Sequence, residues 1–139
     1  MIPKFRAWYV LAEEMINEIL MISFVRKEII GKFSDGSTSV PLKFEDKRNG
    51  EDVILMQSTG LKDKNGKEIF EGDIVRMRNP RDRRQIGMFQ VVRVANSPML
   101  GLLDKNLTTE IFNLYEHMRN YYEIIGNIHE NPELLEVTE

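Results

Sequence analysis

The chain has 139 residues, of which 42% are hydrophobic and 29% are charged, and this composition is typical of one folded domain. Its formal net charge is −3 at pH 7, so the molecule as a whole has no positive field that would attract nucleic acid or an anionic membrane. The absence of cysteine excludes disulfides, thiol nucleophiles and thiolate zinc sites.

The N-terminal residues do not have the pattern of a membrane anchor or of a signal peptide. The apolar stretch at 15–25 is interrupted by Asn17, Glu18 and Ser23, and it falls short of the roughly 20 residues that a spanning helix needs. Too few apolar residues precede the first pair of glutamates to form a signal-peptide core. We therefore expect a soluble, intracellular protein without membrane contact.

The N-terminal part of the chain predicts short strands separated by turns. The sequence KFRAWYV at 4–10 is rich in aromatic and β-branched residues, as strands are. Residues 11–30 fit either a helix or a strand, and we favour a hairpin that bends near residues 12–14. SDGSTS at 34–39 predicts a turn, and EDKRNGED at 45–52 predicts a charged loop.

Three further strands are predicted in the central part of the chain. VILMQ at 53–57, DIVRMR at 73–78 and QIGMFQVVRV at 85–94 are apolar runs bounded by turn residues. Short strands that recur at intervals of roughly ten residues are typical of a small barrel or sandwich. We therefore predict a mainly β fold.

The glycine-rich stretch TGLKDKNGKEIFEGDIV at 59–75 has the composition of a ligand loop but not the spacing of one. A phosphate-binding loop has four residues between its first glycine and a Gly-Lys pair, whereas Gly60 and Gly66 enclose five. Lys67 is followed by Glu68, where magnesium binding would need Ser or Thr. A calcium loop aligned on Gly66 would lack its first oxygen ligand and its bidentate glutamate.

Turn formation explains this stretch better than ligand binding does. The Asn-Gly pair at 65–66 predicts a type I′ hairpin turn, in which both residues have positive φ. Gly72 predicts a kink before the next strand, and Asp73 is expected to accept hydrogen bonds from nearby amides. The acidic residues leave one enzymatic alternative open, a metal-dependent hydrolase or nuclease that would use Asp63, Glu68, Glu71 or Asp73.

The C-terminal part predicts an amphipathic helix, a strand and a second helix start. The apolar residues at 107–122 follow the spacing of one helix face: Ile111, Leu114, Tyr115, Met118 and Tyr122. Thr108 or Thr109 would cap this helix, with Glu110 near the positive end of its dipole. YEIIGNI then predicts a buried strand, and in NPELL Asn131 would cap a short helix that starts at the proline.

Five arginines lie between residues 76 and 84 against a single aspartate, and they form the dense basic cluster of an acidic protein. Such a cluster can bind a phosphate backbone through Arg78, Arg81, Arg83 and Arg84. Two other interpretations are a solvated hairpin tip and a surface for the acidic tail of a neighbouring subunit, with Glu130, Glu133, Glu136 and Glu139. Nucleic acid is not the preferred ligand, because no aromatic residue lies among the arginines to stack on a base.

Three motifs stand out along the chain: FRAW near the start, LMQSTGLKDKNGKEIFEGDIV in the middle and IIGNIHENPELL near the end. In order and spacing they resemble the signatures of the YopX family of phage and prophage proteins. The resemblance implies a small SH3-like barrel around the Gly-Asp-Ile-Val strand, with an N-terminal β extension. It further implies self-association into a homo-oligomer in the cytoplasm of a bacterial host, and no reaction, cofactor or catalytic residue. Tyr9 departs from the family pattern, which more often has an acid there, and the arginine cluster lies outside the three signatures.

Together these observations predict one YopX-like domain over 1–139, with an N-terminal part over 1–52 and a barrel core over 53–139. One or two short helices are expected near the C-terminus. The preferred function is a non-catalytic binding module that self-associates and binds a host or phage protein. His117 and His129 lie twelve positions apart, without a cysteine or an acidic ligand set at metal spacing, so neither a metal site nor a cofactor is predicted.

Overall fold

The computed structural model describes residues 4–46, 50–93, 100–104 and 111–135. The predicted fold class is confirmed, because the fold is mainly β and consists of curled antiparallel sheets of half-barrel type. None of the helices in the described ranges has the length and hydropathy to span a bilayer. The chain divides into two compact units, Met1–Gln57 and Ser58–Glu139. The expectation of one domain with a barrel core from residue 53 stays a prediction.

The first unit contains five strands and the beginning of a sixth. They are β1 (Phe5–Tyr9), β2 (Glu14–Ile16), β3 (Glu18–Ser23), β4 (Glu28–Lys32), β5 (Leu42–Lys43) and the first half of β6 (Val53–Lys62). β1 pairs antiparallel with β2 and with residues 53–57 of β6. β4 pairs antiparallel with β3 and with β5. A turn at residues 10–13 joins β1 to β2, which confirms the predicted hairpin.

The core of the first unit explains why residues 11–30 form strands rather than a helix. Ile16 and Ile29 point into a buried cluster with Ala7 and Val53, and their strand neighbours are more exposed. Alternation of buried and exposed residues is the pattern of a sheet with one solvated face. Trp8 is also largely buried, at 8% exposure.

The second unit contains the end of β6 and six further strands. They are β7 (Glu68–Phe70), β8 (Asp73–Arg78), β9 (Ile86–Arg93), β10 (Leu100–Asp104), β11 (Ile111–Asn113) and β12 (Tyr122–Asn127). Five of them form a sheet in the order β11-β10-β9-β8-β12. Alternate residues of these strands form the core of the unit: Val75, Met77, Phe89, Val91, Leu102 and Tyr122.

The predicted amphipathic α-helix at 107–122 is wrong. Its two alternative caps, Thr108 and Thr109, lie outside the described residues, as does Glu110, which was expected near the positive end of the helix dipole. The described part forms the short strand β11 and a 3-10 helix at Glu116–Tyr121. The apolar spacing reflected a real packing requirement, because Leu114 and Met118 do lie against the core. A short strand followed by a 3-10 helix places these side chains inward while Phe112 pairs with Leu102 of β10.

The described residues contain two other 3-10 helices, a short one at Arg83–Gln85 and one at Pro132–Leu135. The helix at Pro132–Leu135 confirms the helix start predicted in NPELL. Asn131 precedes it, and its backbone carbonyl accepts a hydrogen bond from the Leu134 amide. The expected cap by the Asn131 side chain is replaced by another contact, in which its Oδ1 accepts a hydrogen bond of 3.3 Å from the Asn127 amide. One or two short helices were expected near the C-terminus, and the two found there are both of the 3-10 type.

Candidate binding surfaces

The hairpin between β6 and β7 has a different turn from the one predicted. The Gly66 amide donates to the Asp63 carbonyl, and Gly66 has a φ of 81°. Asn65 has no positive φ, so the predicted type I′ turn is wrong. Of the Asn65–Gly66 pair only Gly66 is left-handed, and the Asp63 side chain accepts a hydrogen bond from the Asn65 amide.

Asp63 is fully buried, and its carboxylate is surrounded by backbone amides. Its Oδ1 accepts hydrogen bonds of 2.9 Å from the amides of Asn65 and Lys67, which fixes the hairpin turn. Its Oδ2 accepts a hydrogen bond of 3.0 Å from the Ile124 amide on β12. The Lys64 amide donates to the Tyr122 carbonyl on the same strand, at 2.9 Å. The hairpin tip therefore caps the outer edge of β12.

Gly72 and Asp73 form the predicted kink before β8. Gly72 has a φ of 89°, a conformation that a Cβ would penalise. Asp73 is buried, and its Oδ2 accepts a hydrogen bond of 2.8 Å from the Phe70 amide. The Gly72 amide donates to Val91, and its carbonyl accepts from Ile128. Asp73 thus has the structural role that the sequence predicts.

The four acids of the hydrolase alternative are not brought together in one cluster. Asp63 and Asp73 accept hydrogen bonds from amides, the Ser58 hydroxyl donates to Glu68, and Glu71 lies 3.6 Å from the Arg93 guanidinium. Among the described residues, no group of three or more histidines and acids could hold a metal ion. His117 packs against the Tyr115 ring, with 5.3 Å between the ring centroids.

The third motif forms a turn around Asn127 at the end of β12. Its Oδ1 accepts hydrogen bonds from the amides of His129 and Glu130, at 3.0 and 2.8 Å. Its Nδ2 donates to the Glu130 carboxylate at 2.7 Å. Glu130 is one of the acids proposed to bind the arginine cluster of a neighbouring subunit, and its carboxylate already accepts a hydrogen bond within its own chain. Glu133 is exposed, whereas Glu136 and Glu139 lie outside the described residues.

The five arginines lie on β8 and on the loop that joins β8 to β9, and we call residues 76–84 the arginine tip. The four predicted site residues, Arg78, Arg81, Arg83 and Arg84, are all exposed there. Arg76 points away from the core, since its neighbours Val75 and Met77 are fully buried. The structure thus places the predicted basic residues on one hairpin.

Arg84 differs from the other arginines because it is held in place from two sides. Its Nε and Nη2 donate to the two oxygens of Asp82, at 3.1 and 3.0 Å. Its guanidinium also lies over the Phe112 ring, 5.8 Å from the centroid. The aromatic residue that the sequence lacked near the arginines therefore comes from β11, about 30 positions further along the chain.

A second surface, on the first unit, was missed by sequence reasoning. Four exposed apolar side chains lie on β3 and on the turn after it, and we call them the β3 surface: Leu20, Met21, Phe24 and Val25. They adjoin a groove of about 630 Å³ lined by Phe5 and by residues 17–22. The available signal was the run of four apolar residues at 19–22 and the apolar pair at 24–25, which interrupt strand alternation.

The fold and these contacts define a small, mainly β protein in which the signature motifs fix backbone turns and strand edges. The family profile described as YopX protein matches residues 4–136. The chain therefore belongs to the YopX family, as the three motifs indicated.

Two solved structures are similar to the chain over nearly its whole length. Protein EF1440 from Enterococcus faecalis is 32% identical, with a TM-score of 0.63 over 98% of this chain and 99% of that one. Protein yopX from Bacillus subtilis is 20% identical, with a TM-score of 0.59 and 97% coverage of both chains, and this likeness concerns the fold alone. A comparison with curated proteins finds no match.

Proposed function

We propose that this chain is a non-catalytic binding protein of phage or prophage type, which acts in the bacterial cytoplasm and self-associates through the β3 surface. The observation that carries the proposal is the combination of an open strand edge with four exposed apolar side chains. Val25 is 96% exposed and Phe24 is 61% exposed. Contiguous apolar residues of this kind are typical of surfaces that bind another protein.

The described structure has two edge strands of six residues, β3 and β12, and only β12 has a capped outer edge. β12 has its outer edge capped by Asp63 and Lys64. β3 pairs only with β4, and no backbone cap on its other edge is found among the described residues. Edge strands are usually protected against pairing with other chains, so an unprotected edge supports a role in association.

A β-bulge shapes the β3 surface. The pairing of β3 with β4 shifts between Ile19 and Met21, so Leu20 and Met21 are both exposed instead of pointing to opposite faces. Phe24 extends the apolar surface, and its ring packs edge-on against Phe5, with 5.9 Å between the centroids. The side chains, more than the backbone edge, supply the contact area.

A second copy of the chain is the occupant that the charges of β3 fit best. In a two-fold contact between antiparallel β3 strands, the start of one strand lies beside the end of the other. Glu18 would then lie near Arg26 of the second copy. Arg26 is exposed and has no side-chain partner among the described residues, and Glu18 has only a surface contact of 3.8 Å with Lys32. Opposite charges at the two ends favour this orientation.

Light scattering coupled to gel filtration tests the proposal. One chain has a mass of 16.3 kDa, and we expect the wild type to elute at micromolar concentration with the mass of two or more chains. The double variant Leu20→Glu, Met21→Glu should elute as one chain, because it places charges in the apolar contact.

The control is the double variant Leu11→Glu, Val40→Glu, which introduces the same two negative charges at exposed apolar residues of the first unit outside the β3 surface. It should leave the mass unchanged. A wild-type mass of one chain, or an equal effect of the two sets of substitutions, would contradict self-association through this surface.

The non-catalytic part of the proposal is supported by the use of Asp63 and Asp73 as acceptors for backbone amides. A hydrolase that used these acids would need a divalent metal, which would raise the melting temperature on binding. We expect no change in melting temperature with magnesium or manganese, and no cleavage of nucleic acid in their presence. Metal-dependent cleavage that is lost in Asp73→Asn would overturn this part.

A further inference from the structure

We propose that the arginine tip binds the phosphodiester backbone of a nucleic acid. The site consists of three exposed arginines of the second unit, Arg78, Arg81 and Arg83. Lys64 and Arg76 extend the same line of cations, and both also contact the Glu123 carboxylate. This inference does not depend on self-association, because none of these residues belongs to the β3 surface.

The first argument is local charge. Residues 76–84 contain five arginines and one aspartate in a chain with a net charge of −3. Like charges held this close repel one another, and an anionic ligand relieves the repulsion. The arrangement therefore favours an anion at this hairpin in spite of the acidic protein around it.

The second argument concerns which arginines are available. Arg84 is bound to Asp82, and Arg76 lies 3.5 Å from Glu123. Arg78, Arg81 and Arg83 are exposed, and their side chains have no partner among the described residues. Asp82 is neutralised by Arg84, so the charge of these three guanidinium groups is not offset within the loop. Guanidinium groups bind phosphate oxygens in pairs of parallel hydrogen bonds.

The third argument is that the loop is ordered before any ligand binds. The Arg81 amide donates to the Asn79 side chain at 3.0 Å, and the Asp82 amide donates to the Asn79 carbonyl. Asp82 caps the short helix at 83–85 through the Arg84 amide, also at 3.0 Å. A preorganised loop loses less conformational entropy on binding than a flexible one.

The fourth argument is that the cations follow a line instead of surrounding a point. Arg76 and Arg78 lie on the same face of β8, about 7 Å apart. Lys64, at the hairpin tip that caps β12, lies 3.7 Å from the Glu123 carboxylate that also contacts Arg76. Arg81 and Arg83 extend the line beyond the strand. A linear polyanion matches this arrangement, whereas a single phosphate or carboxylate would contact only part of it.

Fluorescence anisotropy with labelled oligonucleotides tests the inference. The probes are a single strand and a duplex of mixed sequence, each at about 50 mM and about 200 mM salt. With about four phosphate contacts, the affinity for duplex should fall about a hundredfold between the two salt concentrations, and the affinity for a single strand somewhat less. Binding should depend little on base sequence, because the contacts go to the backbone.

The diagnostic variant is Arg78→Gln, Arg81→Gln, Arg83→Gln, which should weaken binding at least tenfold at low salt and reduce the salt dependence. The matched control replaces three exposed lysines of the first unit, Lys27, Lys32 and Lys43, with glutamine, and so removes the same net charge. It should bind almost as the wild type does. All of these side chains are exposed, so the melting temperatures should agree.

Three results would overturn the inference. The first is no binding of either probe at low salt. The second is an equal loss in both triple variants, which would assign binding to overall charge. The third is tight binding of polyglutamate that the arginine variant abolishes, without any nucleic-acid binding, since the ligand would then be an acidic protein.

Discussion

Asp63 connects two parts of the second unit that are 61 residues apart in the sequence. Its carboxylate orders the hairpin turn through the amides of Asn65 and Lys67, and it binds β12 through the amide of Ile124. The sequence predicts a turn here, but a turn prediction uses only neighbouring residues. The long-range contact could not be predicted, because nothing local to Asp63 specifies that its second oxygen faces another strand.

Substitution of Asp63 should be among the most destabilising single changes in the second unit. Asp63→Ala leaves three part-buried amides without their acceptor and should lower the free energy of unfolding by about 2–4 kcal/mol. Asp63→Asn retains one acceptor oxygen and should cost less. Urea unfolding at neutral pH measures both effects.

The control is Asp35→Ala, which removes an aspartate that also accepts an amide hydrogen bond, from Ser37, but is exposed. Its effect should be much smaller. Equal losses from Asp35→Ala and Asp63→Ala would show that burial of the Asp63 contacts does not matter.

Tyr122 should make stability depend on alkaline pH. Burial raises the pKa of the Tyr122 hydroxyl, although the hydrogen bond from the Tyr115 amide, at 3.1 Å, acts in the opposite direction. Because the folded pKa lies above the unfolded value, the contribution to stability is present below about pH 10 and is lost as the pH rises through the folded pKa.

Tyr122→Phe should lower the free energy of unfolding at neutral pH by about 1 kcal/mol, because the Tyr115 amide loses its acceptor. Above pH 10, where the wild type loses stability, the variant should lose less. Urea unfolding at several pH values tests this, and parallel curves for the two proteins would contradict it.

At the level of elements, the end of β12 and the turn after it are fitted closely to each other. A Cβ on Gly126 would lie 2.5 Å from Oδ1 of Asn131, the atom that accepts the Asn127 amide. The register of β12 against β8 also shifts between Ile124 and Gly126. The glycine in this motif is therefore required by the space that Asn131 occupies.

Gly126→Ala should displace Asn131 and lower the free energy of unfolding by about 1–3 kcal/mol. Asn131→Ala removes the obstructing side chain, so the double variant should lose less than the sum of the two single variants. Thermal or urea unfolding of the three variants measures this coupling. Strict additivity would show that Asn131 is not the cause.

The strands show what a sequence pattern can determine. The sequence predicts β8, β9 and β12 from apolar runs and turn residues. In the structure the cross-strand pairs of these strands alternate between core and solvent, and this alternation is what makes the strands recognisable in the sequence. The segment at 111–122 was mispredicted because its apolar spacing fits a helix as well as a strand followed by a 3-10 helix. The choice depends on the pairing of Phe112 with Leu102, which the local pattern does not contain.

Of the two candidate surfaces, the sequence predicts the arginine tip but not the β3 surface, for a similar reason. The arginine tip is continuous in sequence, so the sequence alone shows its positive charge. The contact between Arg84 and Phe112 joins two segments that are distant in sequence, so the sequence alone does not show it. The β3 surface depends on a bulge in the pairing with β4, and strand alternation alone does not place it.

At the scale of the whole molecule, the two proposed surfaces lie on different units. The β3 surface belongs to the first unit, and the arginine tip belongs to the second. If the chain self-associates, each assembly carries two or more arginine tips. Several weak sites on one assembly bind a long ligand more tightly than a single site does.

The variant Leu20→Glu, Met21→Glu should therefore separate the two functions. Its affinity for an oligonucleotide of about 10 nucleotides, close to the size of a single site, should equal that of the wild type. Its affinity for a strand several times longer should be roughly tenfold to a hundredfold weaker, because avidity is lost. Anisotropy with both lengths measures this, and an equal change for the two lengths would contradict it.

The carboxylate of Asp63 also bears on how the folded chain avoids aggregation. A sheet edge with free amides and carbonyls is a template for strand addition, and repeated addition leads to fibrils. By occupying the Ile124 amide of β12, Asp63 removes a donor that an incoming strand would use. A chain without this carboxylate would be at risk of fibril growth while still folded, from an edge that the native protein closes with the Asp63 carboxylate and the Lys64 amide.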